Sequence, residues 1–79
     1  MTKTDLPDLL YKTIKNLGGK ATTINIFKEF YKLYENDLKN SGDLFYTWNY
    51  DIRWAATELR KTKRMKLASD TSKGIWEII

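Results

Sequence analysis

Met65-Lys66-Leu67-Ala68-Ser69-Asp70-Thr71-Ser72-Lys73-Gly74-Ile75-Trp76-Glu77-Ile78 breaks the pattern of everything before it. Upstream, apolar residues recur every three or four positions, the spacing of one helix face. Here Met65 to Ala68 and Gly74 to Ile78 alternate apolar and polar, the two-residue period of strands. The residues between them, Ser69 to Gly74, are polar turn formers. This tail predicts a β-hairpin with strands over Met65–Ala68 and Gly74–Ile78, and its alternation puts Trp76 in the core.

The segment that leads into the tail predicts a helix, beginning between Asp43 and Trp48 and running to about Thr62. At about 100° per residue, Trp48, Ile52, Ala55 and Leu59 share the core face. The opposite side collects Tyr46, Tyr50, Arg53, Thr57, Arg60, Lys61 and Arg64, with no carboxylate among them. Asp51 and Glu58 fall on the flank beside Trp54.

Further back, Leu6, Leu9, Leu10, Ile14 and Leu17 mark a first helix, with Asp5 as its N-cap, Pro7 in its first turn and Gly18-Gly19 as its stop. A threonine of Lys20-Ala21-Thr22-Thr23 can cap a second helix that carries Ile24, Phe27, Phe30, Tyr31, Tyr34 and Leu38 on an apolar face. That helix ends in the loop Lys39-Asn40-Ser41-Gly42-Asp43, and Ala21 to Thr23 are able to form a short additional strand. Three helices followed by a C-terminal β-hairpin wing are the element order of an α+β winged helix-turn-helix, with residues 1–79 as one domain.

Charge and composition narrow the function classes. The net charge is +4, and 42% of the residues are hydrophobic, too many for a disordered chain. Residues 1 to 50 carry seven Lys/Arg against six Asp/Glu, and residues 51 to 79 carry seven against four, so the surplus lies in the C-terminal third. A basic excess concentrated on one element suits a polyanion. The chain has no cysteine and no histidine, which removes disulfides, thiolate chemistry and the commonest general base. Asp8 with Asp37-Leu38-Lys39 superficially matches the acidic and lysine motif of metal-dependent nucleases. Both aspartates fall on helices, however, whereas that chemistry needs carboxylates on adjoining strands. Gly18-Gly19-Lys20 lacks the spacing of a phosphate-binding loop and follows a helix rather than a strand. The expectation is a protein that is not an enzyme and needs no cofactor or metal. No apolar run approaches the roughly 18 residues of a membrane span, and the N-terminus lacks a signal-peptide core, so a cytoplasmic protein without a membrane partner is expected.

The pattern formed by Trp48, Ile52, Trp54-Ala55, Leu59, Met65, Leu67, Lys73-Gly74-Ile75-Trp76 and Ile78 resembles the N-terminal winged-helix domain of Mrr-type restriction proteins. The resemblance implies a DNA-reading module of a restriction or modified-DNA response system, working beside a separate nuclease domain or subunit. The chain departs from the family pattern at Tyr50-Asp51, where members often carry Asn-Arg, and at Lys63, where a glycine usually follows the helix.

The expected partner is double-stranded DNA. Arg53, Arg60, Lys61 and Arg64 would neutralise phosphates or reach base edges, and Tyr46, Tyr50 and Thr57 would contact sugars and bases. In the wing, Lys66, Ser72 and Lys73 would touch the adjacent backbone. The alternative is a protein-protein interaction adaptor that docks through Tyr46, Tyr50 and Trp54.

Overall fold

A computed structural model describes residues 1–79. The first helix, α1, spans Leu6–Asn16 and grows out of a 3-10 turn at Lys3–Asp5. Asp5 is not the side-chain cap of α1. Its carboxylate instead accepts from the Thr2 amide at 2.8 Å and the Thr2 hydroxyl at 3.2 Å. The Thr2 amide bond, then the hydroxyl bond, hold the Asp5 carboxyl below the usual aspartate range. Gly18, in the left-handed region at φ 98°, ends α1 by closing amide bonds from Gly18 to Lys15 and from Gly19 to Ile14.

The chain then extends through β1, Lys20–Thr22, and turns into α2, Thr23–Lys39. Thr22 caps α2 by accepting the Asn25 amide at 3.3 Å. Because α2 starts at Thr23, Ile26 and Phe30 face the core one turn apart, while Ile24, expected on that face, is 63% exposed. Tyr34 leaves helical geometry (φ −122°, ψ 19°) and kinks α2, although the helix contains neither Pro nor Gly; Leu38 beyond the kink is buried. The third helix, α3, spans Leu44–Lys61, close to the expected extent.

The tail is where expectation and structure differ most. Its only regular strand, β2, is Ile75–Glu77, and its regular partner is β1, with Lys20 opposite Glu77, Ala21 opposite Trp76 and Thr22 opposite Ile75. The expected strand over Met65–Ala68 shrinks to one antiparallel bridge between Met65 and Ile78, supported by the Lys66 amide on the Glu77 carbonyl at 2.8 Å. Ala68–Asp70 forms a 3-10 turn instead. The Thr71 hydroxyl closes this turn on the Ala68 and Ile75 carbonyls, at 3.4 and 3.1 Å, giving the backbone a local alternative to the ladder. β2 thus runs between β1 and the Met65 segment.

The result is a small α+β domain of three helices and a two-stranded antiparallel sheet, an order compatible with a winged helix. One core joins Leu6, Leu10 and Ile14 of α1 with Ile26 and Phe30 of α2 and Ile52, Ala55, Ala56 and Leu59 of α3; Met65 and Trp76 close it from the tail. Each fully buried Leu or Ile contributes about 1.5–3 kcal/mol. Trp48 sets the α2–α3 arrangement, stacking on Phe30 at 5.5 Å and on Tyr31 at 6.0 Å, with Phe27 edge-on at 6.0 Å. No helix is long and apolar enough to cross a membrane.

Candidate nucleic-acid interface

Burying Ile52, Ala55, Ala56 and Leu59 forces the opposite side of α3 outward, and that side is the candidate surface. Tyr46 and Tyr50 are 79% and 77% exposed, far more than aromatic rings used for packing. Arg53, Thr57 and Lys61 are exposed on the same side. The Arg53 guanidinium lies 5.2 Å from the Phe27 ring of α2, which steadies it while its donors remain without a protein partner. Lys61 makes a long contact to Glu58 at 3.7 Å, a solvent-exposed pair of small worth.

The flanking acids are occupied. Asp51 accepts from Thr47 at 2.8 Å and lies 4.0 Å from Lys3, whose ammonium also sits 4.8 Å over the Trp54 ring. Trp54 is therefore half-buried beneath the N-terminal segment rather than available for stacking on a ligand.

Three of the expected contact residues have other partners. Arg60 is half-buried at the junction with the tail: its Nε donates to the Lys66 carbonyl at 3.3 Å, and its guanidinium lies 5.8 Å from Trp76. Arg64 does not continue the α3 face. The helix ends at Lys61, Lys63 takes a left-handed conformation at φ 60°, and the chain reverses. Arg64 then pairs with Asp8 of α1 at 2.7 Å and lies over Tyr11 at 4.6 Å. Lys66 pairs with Glu77 at 3.2 Å.

Ser72 and Lys73 are exposed and stand near α3. With Ser69 and Thr71 they line a cleft of about 390 Å³ against Arg60. The structure thus joins Tyr46, Tyr50, Arg53, Thr57 and Lys61 on one helix face, connects that face through Arg60 to Ser72 and Lys73, and separates Arg64 from it.

One residue of this surface escapes a search for cations and aromatics. Asn49 is exposed and its side chain has no protein partner. It stands one turn before Arg53 and three turns before Arg60, in line with both. An asparagine inside a helix is mildly unfavourable, and its spacing to Arg53 is the signal that picks it out. Chemically, the surface offers the Arg53 fork, the Asn49 amide, two phenols and two lysines. These are groups that donate to phosphate and base edges. No group of three or more acidic or other metal-binding side chains is gathered anywhere in the chain. Comparison with known protein families, characterised proteins and solved structures finds no match for this chain.

Proposed function

We propose that the chain is a winged-helix domain that binds double-stranded DNA, with the exposed face of α3 in the major groove and the Ser69–Lys73 turn acting as a wing along the adjacent backbone. The observation that carries the reading is the exposed, carboxylate-free face of α3 with unpartnered Arg53 and Asn49 at its centre. Ordinary solvated helix faces mix signs through Glu and Lys pairs, and here the one such contact, Lys61 to Glu58, is long and lies at the flank.

Roles follow from chemistry. Lys61 and Lys73 neutralise phosphates. Asn49, in the N-terminal half of α3, and Arg53, at its middle, reach base edges, where an arginine fork fits guanine and an amide fits adenine. Arg60 ties helix to wing. The domain binds and does no chemistry. Under the Mrr-type resemblance its setting is restriction, with cleavage left to a separate nuclease, but the proposal rests on the α3 face and not on that resemblance.

Exposed Tyr46 and Tyr50 favour one rival, docking of a protein partner. Titrating a labelled duplex at increasing salt separates the two. The two phosphates neutralised by Lys61 and Lys73 predict a slope of log affinity against log salt near −1.8, a loss of roughly 12-fold between 50 and 200 mM. No duplex binding at the lower salt would leave the adaptor reading in its place.

A further inference from the structure

A second polar concavity lies away from the α3 face. In β1 and β2, Ala21 and Trp76 point toward the core, so alternation turns Lys20, Thr22, Ile75 and Glu77 to the other side of the ladder. This outer side, the exposed flank of α2 and the turn through Asp70–Ser72 enclose a groove of about 810 Å³. Lys20, Lys28 and Lys32 line it, and none of the three forms an ion pair. Lys28 and Lys32 stand one turn apart, and Asn25, with an unpartnered side chain, precedes them by another.

The acids of the groove are mostly engaged. Glu29 accepts from Asn16 at 2.6 Å, and Glu77 is paired with Lys66 at 3.2 Å. Glu29 and Asp70 have no cationic partner, and Asp70 has no side-chain partner of any kind. Its apolar side chains are Leu17 and Ile75, since Ala21 turns its methyl toward the core.

We infer that this groove binds a nucleoside phosphate. The three lysines take the phosphates, which a cluster of unpaired ammonium groups favours strongly over neutral ligands. The carboxylate of Asp70 accepts sugar hydroxyls, and the small apolar floor receives the base. The three lysines are gathered in one concavity rather than spread along a face, which suits a compact anion over duplex DNA. The inference does not depend on the α3 reading, because the two surfaces use different cations.

The test is an amide-resolved NMR titration of the full chain with adenosine diphosphate, and in separate arms with pyrophosphate and with adenosine. The expected result is saturable shifts at Lys20, Asn25, Lys28 and Lys32 that are tightest with the diphosphate. The Lys28→Gln/Lys32→Gln variant should keep its melting temperature, because both side chains are exposed, and lose at least about tenfold in diphosphate affinity. Its duplex binding should be unchanged, so failure here and failure of the DNA reading are read separately. Non-saturating shifts, shifts confined to α3, equal affinity for pyrophosphate, or a double variant that binds as well as wild type would each overturn the inference.

Discussion

Lys63 shows most directly how one side chain departs from what its backbone favours. Its φ of 60° is the left-handed conformation that closes α3: the Arg64 amide reaches the Leu59 carbonyl at 2.8 Å, and the Lys63 amide reaches Arg60 at 3.1 Å. Gly18 fills the equivalent position after α1 without a Cβ penalty. Lys63 is exposed, so truncating it removes no packing. Lys63→Gly should therefore stabilise the domain by about 0.5–1 kcal/mol, the left-handed strain relieved less the added freedom of the unfolded chain. Urea unfolding measures this, and a lower midpoint would mean the lysine is not strained. Only the Mrr-type resemblance marked this position as one where a glycine usually follows the helix. The sequence could not show that Arg64, the next residue, turns back to Asp8, because periodicity carries a helix face onward until something stops it. Ile24 failed for a related reason: spacing alone does not say where α2 begins, and the Thr22 cap exposes Ile24 and buries Ile26.

The helices were legible because each buries a continuous stripe, and α3 in particular follows from Trp48, Ile52, Ala55 and Leu59. The strands were legible only by period. Alternation identifies Trp76 as inward but cannot name the neighbouring strand, and the partner proved to be β1, brought there by the α1 stop and the α2 cap. Trp76 is buried against Ala21 and lies edge-on to Phe27 at 6.0 Å. Trp76→Ala should cost about 3–5 kcal/mol, which would unfold much of a domain this small; thermal melting checks it, and an unchanged midpoint would contradict its place in the core. The candidate surface was legible as an acid-free face, yet its membership needed the tertiary partners of each arginine. Arg53→Ala should weaken duplex binding, whereas Arg64→Ala should leave affinity and salt slope as they are and cost only about 0–1 kcal/mol of stability, as exposed ion pairs do. Equal weakening of duplex binding by both substitutions would put Arg64 back on the DNA surface.

Across the whole molecule, the surplus charge is distributed as two separate cationic regions. One runs along α3 to Lys73, with its flanking acids taken by Lys3, Thr47 and Lys61. The other lies over the outer side of the sheet, around Lys20, Lys28 and Lys32. The sequence showed the first as a C-terminal excess of charge. The second was invisible there, because β1 and α2 come together with the Asp70–Ser72 turn only in the fold. This separation makes the DNA reading decidable with the second region as an internal control. The decisive measurement is duplex affinity against salt for the wild type and for Arg53→Ala/Lys61→Ala/Lys73→Ala, with Lys28→Gln/Lys32→Gln alongside. All three altered positions of the triple variant are exposed, so it should fold. The prediction is weaker binding and a salt slope shallower by about 1.8, since each missing lysine leaves one phosphate with its counterions still condensed, while the loss of Arg53 removes base contacts. A folded triple variant that binds duplex DNA with wild-type affinity and slope would contradict the assignment of α3 and the wing as the DNA surface.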